Sequence, residues 1–250
     1  MALNADQIAA MERATLDAMP STELDEIGGW LVPIDEGTVS RSRSAVPLRH
    51  DVDLAADIDR IITRYCRAGA MPRFRIPETE PLTRLQTRLC ALGYRSGPAS
   101  LVMTRPCTLL PIESSPVTLS NTADDGWCAA FLGTGSDKVD GRSRLTILRR
   151  AKHARFASVA QSGATVAVGA GSFSREWVSI HGLRTDPAHR NRGLASAIVA
   201  AILADGIKRA FSRVFLQVEV ANTDAVRLYR RLGFADLWTY RYWSHPAASD

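Results

Sequence analysis

Arg190-Asn191-Arg192-Gly193-Leu194-Ala195 is the stretch on which the fold reading turns. It has the form Arg-x-x-Gly-x-Ala. Trp177 to Thr185, just before it, reads as a strand, and an apolar helix is expected from Leu194 to about Ala210. A strand, a short basic loop with one glycine and a helix start together make a cradle for an anion. The N–H groups of the first helical turn lack intrahelical acceptors, and the helix dipole favours negative charge there. Gly193 lets a phosphate approach the backbone with no Cβ in the way. Arg190 and Arg192 add charge, so the predicted guest is a pyrophosphate. A basic loop before a helix is often only a solvated helix start. The hexapeptide alone therefore decides little, and the segments after it carry the reading.

Arg213 to Val220 alternates like a strand. Asn222 to Phe234 then reads as a helix and its exit. Asn222 suits the N-cap, Asp224 the first turn and Gly233 the position just past the end. Ala225, Leu228, Tyr229 and Leu232 form its expected buried stripe.

Three elements now stand in order: the strand ending Leu183-Arg-Thr-Asp-Pro187, the Arg190…Gly193-x-Ala195 loop, and Asn222…Ala225…Leu228-Tyr229…Gly233-Phe234. In this order and spacing the chain, from about Cys107 onward, resembles the GNAT superfamily of acyl-CoA-dependent N-acetyltransferases. The resemblance implies an α/β fold with a mixed central sheet flanked by helices. It implies acetyl-CoA as cosubstrate, its pyrophosphate on the backbone N–H groups of Arg192 to Ala195, within the loop Arg190, Asn191, Arg192, Gly193, Leu194, Ala195. The pantetheine arm is then expected along Leu183, Arg184 and Thr185, with a backbone N–H near Leu183 as oxyanion donor. Tyr229 is the implied general acid toward the departing sulfur. Asn222 either turns toward the cofactor arm or caps its helix. The general base stays open. Some family members carry a carboxylate eleven residues before Arg190, where this chain has Ser179. His181, on the same strand face, and Glu219 are the weaker candidates, and a neutral amine needs no base.

A gapless shift of 140 positions aligns the first hundred residues with the last. Pro47 falls on Pro187, Leu54-Ala55 on Leu194-Ala195, Ile58 on Ile198, Ile62 on Ile202, and Leu92-Gly-Tyr94 on Leu232-Gly-Phe234. This predicts a degenerate copy over 1–106 and a complete domain over 107–250. In the first copy, helices are expected over Asn4–Ala18, Leu54–Arg67 and Pro81–Ala91. Its strands are expected over Gly29–Ile34, Thr38–Val46, Arg73–Ile76 and Ser100–Thr104. The second copy adds a strand near Val117–Ser120 and helices over Asp125–Leu132 and Gly141–Ala151. A hairpin, Arg155–Gln161 with Ala164–Phe173, turns through Ser162-Gly163, and a last strand covers Trp238–Trp243. His245 to Asp250 is expected as a tail. The copies differ where chemistry is expected: Asp53 replaces Gly193, His50 replaces Arg190, Leu89 replaces Tyr229 and Leu82 replaces Asn222. Asp51 and Asp53 would repel a pyrophosphate or serve as ordinary helix-start acids. One cofactor site per chain is the consequence.

The 250 residues carry 46% hydrophobic side chains and a net charge of +5. No apolar run of membrane length and no signal-like start are present. Four cysteines lack metal or redox spacing and read as core residues of a reducing cytoplasm. No metal is expected. Gly169-Ala-Gly171 opens no helix, so it reads as a bulge or a close backbone approach rather than a dinucleotide fingerprint. The expected partner is a small-molecule or peptide amine acceptor, with no nucleic acid and no membrane, the protein being a monomer or homodimer. Two other readings remain: a non-catalytic acyl-CoA-binding regulatory module, and a nucleic-acid adaptor resting on charge alone.

Overall fold

Helix α1 (Ala5–Ala18) begins on a capping box: the Asn4 side chain accepts from the Gln7 N–H, and the Gln7 side chain accepts from the Asn4 N–H. The computed structural model from which this geometry is read describes residues 3–111, 116–133 and 138–246. After α1 come β1 (Glu23–Ile27), β2 (Trp30–Ile34) and β3 (Val46–Pro47), then α2 (Ile58–Arg67), β4 (Arg73–Pro77), α3 (Thr83–Ala91) and β5 (Arg95–Pro106). The second half runs β6 (Thr118–Ser120), α4 (Asp125–Leu132), α5 (Lys138–Arg150), β7 (Ala154–Gln161), β8 (Ala164–Ser174), β9 (Trp177–Thr185), α6 (Leu194–Lys208), β10 (Arg213–Glu219), α7 (Thr223–Arg231) and β11 (Ala235–Ser244).

Strands β1 to β3 form a small antiparallel sheet. The other eight form one mixed sheet, in the order β4-β11-β5-β10-β9-β8-β7-β6. Within it β9 and β10 run parallel, and the other neighbours are antiparallel. The two-residue period of the strands sends alternate side chains to opposite faces. Val178, Ile180, Val214 and Leu216 meet Ile198 and Ile202 of α6 and Val226 and Tyr229 of α7. On the other face Trp177 and Phe215 meet Met11 and Ala14 of α1, and Val168 and Ala170 meet Trp127 and Phe131 of α4. A buried ion pair holds α1 to β4: Arg75 donates to Glu12 at 2.5 Å, and both are about 1% exposed. His50 lies 3.8 Å from the other Glu12 oxygen, its ring edge-on to Trp238.

The shift of 140 recurs in the elements. Strands β4 and β10 begin at Arg73 and Arg213, helices α3 and α7 at Thr83 and Thr223, strands β5 and β11 at Arg95 and Ala235. The two helix exits share their hydrogen bonds. Tyr94 N–H donates to Leu89 C=O, and Phe234 N–H to Tyr229 C=O, each at 3.0 Å. Gly93 and Gly233 both stand left-handed, at φ +88° and +81°. The strands cross over: β4 pairs with β11, β10 pairs with β5, and β5 and β11 are neighbours at the centre.

Several expectations are corrected. Thr38–Val46 is not a strand but a 3-10 turn over Ser40–Arg43 followed by the two-residue β3. Its Ser-Arg-Ser-Arg run has no apolar face to bury, and Ser42 instead donates its hydroxyl to the Met19 carbonyl. Strand β1 lacks a sequence signal, because Glu23, Asp25 and Glu26 give it no apolar period; Arg64 of α2 holds Glu23 and Asp25. Helix α2 starts later, after a 3-10 turn over Ala55–Asp57. In α7 Val226 is buried while Ala225 and Leu228 are half-buried, so the stripe is rotated by one residue. Cys107 and Cys128 are buried, but Cys66 and Cys90 are exposed on the outer sides of α2 and α3. Strand β5 carries on through Pro106, and His245 of the expected tail sets its ring against Tyr94. The rest of that tail, 247–250, lies outside the described residues.

Among the described residues, no helix is long and apolar enough to cross a membrane. The same residues hold no group of side chains suited to a metal ion.

Candidate active site

Strand β9 bends where its register slips. Val168 faces Arg184 and Ala170 faces His181, so Gly182 and Leu183 together oppose Gly169. This is a bulge, and Gly182 takes the left-handed φ of +60° that it requires. A Cβ there would stand 2.9 Å from the Phe131 ring, so glycine is needed twice over. Gly169 and Gly171 serve close approach instead: a Cβ on either would press on Ile198 or Ile202 of α6 at under 3 Å. The reading of Gly169-Ala-Gly171 as a close approach holds, and the bulge sits opposite it.

The consequence is a splayed sheet. Strands β9 and β10 stay paired from Trp177 and Arg213 only as far as Ile180 and Leu216. Strand β10 continues against β5 to Glu219, while β9 turns away. The β9 edge from His181 to Thr185 is left without a β10 partner. An extended amide-bearing chain can add there as a strand would. The splay opens a cleft of ≈ 1270 Å³ through the sheet.

The loop from Arg190 to Ala195 closes one end of this cleft. Asn191 and Gly193 are both left-handed, at φ +60° and +75°. Such a turn points successive N–H groups into one concavity at the start of α6. A Cβ built on Gly193 meets nothing within 4 Å, so the space in front of it is open. Leu183, Arg184, Thr185, Arg190, Asn191, Gly193, Leu194 and Ala195 line the cleft. The side chain of Arg192 does not. The guanidinium of Arg184 lies over the Phe131 ring and donates to the Leu132 carbonyl at 3.2 Å. The corresponding loop of the first half is closed by acid: Asp53 accepts from the Ala55 N–H at 2.9 Å, and Asp51 pairs with Arg49.

Tyr229 lines the cleft from the α6–α7 side of the sheet. Burial pushes its phenol up to about 12, so it holds its proton at any working pH. That is higher than the ordinary phenol value that its residue type implies. Asn222 caps α7, its side chain accepting from the Ala225 N–H at 3.2 Å. His181 lines the cleft and is hydrogen-bonded to Ser179 at 2.9 Å. Burial, with the Arg41 charge behind it, holds this imidazole well below its ordinary 6.5, so it is neutral and a weak base. Glu219 is exposed at the rim. Arg227 and Arg231 also reach the cleft, whereas Arg230 pairs with Asp236. Sequence reading misses Gly182, whose signal is a glycine inside a strand. It also misses Arg41, Gln217, Tyr240 and Tyr242, which carry no signal.

Burial brings His50 down to about 3 and holds His181 well below its ordinary 6.5, and the two give the fold a pH dependence. Both stay neutral when folded and take up a proton on unfolding below pH 6.5. The unfolded state then binds more protons, so stability falls as pH falls. For His50 this costs about 2 kcal/mol at pH 5, and His181 acts in the same direction. Glu12, raised by burial against the opposing Arg75 charge, contributes the opposite slope above its ordinary 4.5, its share of stability being lost as pH rises through its folded value. Thermal midpoints are expected to level off above pH 7 and drop below 6.5. A flat midpoint down to pH 5 would contradict the burial of both rings.

The family model described as "Probable histone acetyltransferase Rv0428c C-terminal" matches residues 5–243. The chain belongs to this family. A mycothiol acetyltransferase from Salinispora arenicola is 33% identical over 168 residues, 58% of this chain and 54% of that protein. The chain thus spans about half the length of that relative. A GCN5-related N-acetyltransferase from Kribbella flavida shares the fold at TM-score 0.71 and 17% identity, over 98% of this chain and 96% of its own. A tandem GNAT protein from the clavulanic acid pathway shares it at TM-score 0.61 and 14% identity, over 99% and 98%. The expected GNAT fold, a mixed sheet flanked by helices, is thereby shown.

Proposed function

We propose that the chain transfers an acetyl group from acetyl-CoA to the amine of an acceptor. The observation that carries this is the splay of β9 from β10 beside a left-handed glycine loop at a helix start. That arrangement offers an edge for the pantetheine amides and N–H groups for the pyrophosphate. Family membership supports the reaction class. The acceptors named for its relatives, histones and mycothiol, differ in chemistry, so neither is carried over.

In this reading the acceptor amine attacks the thioester carbon while a backbone N–H near Leu183 stabilises the oxyanion. The C–S bond then breaks, and the phenol of Tyr229 donates to the departing sulfur. The proton shed by the amine nitrogen restores the phenol. His181, a weak base in its buried site, takes no proton. An acceptor that reaches the rim as its ammonium form first gives up one proton to the exposed Glu219 there and enters neutral, and the proton it sheds after attack is the one that restores Tyr229. Positioning supplies much of the rate.

We also propose that residues 1–106 form a degenerate copy and 107–250 the complete domain. The support is the shared 140-residue spacing of β4-α3-β5 and β10-α7-β11. Asp51 and Asp53 leave the first copy without a pyrophosphate site.

Thiol release from acetyl-CoA, followed over a panel of amines at pH 8, tests the reaction. Turnover with at least one amine class is expected. Tight acetyl-CoA binding with no thiol release across a broad panel would favour a regulatory binding module, the reading that the absence of a carboxylate at Ser179 supports.

A further inference from the structure

An arginine without a counter-ion faces the side of the cleft opposite Tyr229. Arg41 belongs to the 3-10 turn Ser40–Arg43 and lines the cleft, half-buried. Its Nη1 donates to the neutral Gln217 Oε1 at 3.3 Å. Among the described residues it makes no ion pair. Of the other arginines that line the cleft, Arg144 pairs with Asp140 and Arg227 with Asp224, while Arg190 belongs to the loop before α6 and Arg231 to the end of α7.

The amide that holds Arg41 is itself fixed. Gln217 Oε1 also accepts from the Tyr240 hydroxyl at 2.9 Å, and its Nε2 donates to Thr15 at 3.1 Å. The Tyr240 and Tyr242 hydroxyls stand 3.4 Å apart. The charge of Arg41 is felt at both His181 and Tyr242, so these groups share one pocket. Gln217 and Glu219 share a strand face, with the carboxylate farther out and exposed. A guanidinium held in place by a rigid neutral network, with no acid to meet it, is a binding group for an anion. Its fork matches a carboxylate in geometry as well as charge.

We propose that Arg41 selects the acceptor, and that the acceptor is an amine carrying a carboxylate. Gln217 positions the guanidinium, and the Tyr240 hydroxyl, donating to Gln217 Oε1, holds that amide in turn. This rests on the transferase reading above and extends it to the acceptor's class. It also gives the first half of the chain a task, since Arg41 reaches the cleft from that half. Polyamines and lysine-rich peptides meet like charge at the same point and are disfavoured.

The test uses acetyl-CoA and bisubstrate compounds on the full chain. In each compound the sulfur of CoA is joined through a CH2–CO spacer to the amine of glycine, β-alanine or γ-aminobutyrate. Each is paired with its carboxamide twin, and affinities are read by calorimetry. At one or more lengths the acid is expected to bind about tenfold tighter than its amide. In Arg41→Gln that preference should vanish, with acetyl-CoA affinity and thermal midpoint unchanged, and Arg41→Lys should restore part of it. Equal binding of acid and amide at every length in the unmutated protein overturns the proposal, as does a preference that survives Arg41→Gln. Failure of acetyl-CoA itself to bind would instead sink the transferase reading, and this inference with it.

Discussion

Tyr229→Phe is expected to lower turnover by about 10²- to 10⁴-fold while acetyl-CoA affinity stays within about twofold. The variant removes one oxygen from a ring that is otherwise packed. Tyr229 is 8% exposed and sits edge-on to Phe234 in the core shared with α6, so the phenyl group keeps its contacts. Among the described residues the hydroxyl has no hydrogen-bond partner to lose. With the phenol pushed up to about 12, full transfer of its proton to a thiolate runs uphill. The useful act is a hydrogen bond to sulfur while the C–S bond is breaking, completed by the proton from nitrogen. The loss should therefore appear in kcat and not in KM. Unchanged turnover would remove Tyr229 from the reaction and leave it a core residue.

Gly193→Asp is expected to weaken acetyl-CoA binding by at least about 100-fold without unfolding the protein. The substitution copies the first half of the chain, where Asp53 stands at the matching position. Two effects add. A Cβ enters the open space in front of the loop, where the pyrophosphate is proposed to lie. A carboxylate about 4 Å from a phosphate near the surface costs on the order of 4 kcal/mol. The fold should survive, because aspartate tolerates the left-handed φ of +75° better than most side chains. The expected strain is about 1 kcal/mol. Gly193→Ala separates the two effects: it brings the Cβ and the strain but no charge, and should lose less affinity.

The site half of the fold was legible because its signals are local. Trp177–Thr185 is a strand with the bounds its alternation predicted, and Asn222 and Gly233 do at the ends of α7 what those residue types do elsewhere. The 140-residue shift was legible for the same reason, since capping glycines and apolar helix faces repeat. Long-range pairing was not. Nothing in Arg95–Pro106 says that it will lie between β11 and β10, because that depends on a strand more than 100 residues away. The bulge at Gly182 needs the register of β8, and the role of Arg41 needs Gln217 beside it. Polar segments such as Ser40–Arg43 and Glu23–Ile27 carry no apolar period, so their conformation is set by neighbours that the sequence does not place.

A calorimetric titration of acetyl-CoA into the full chain tests the central claim most directly. One site per chain, of micromolar affinity, is predicted, with the heat of binding lost in Gly193→Asp. Two sites per chain, or binding that survives Gly193→Asp intact, would contradict a single pyrophosphate cradle at Arg190–Ala195.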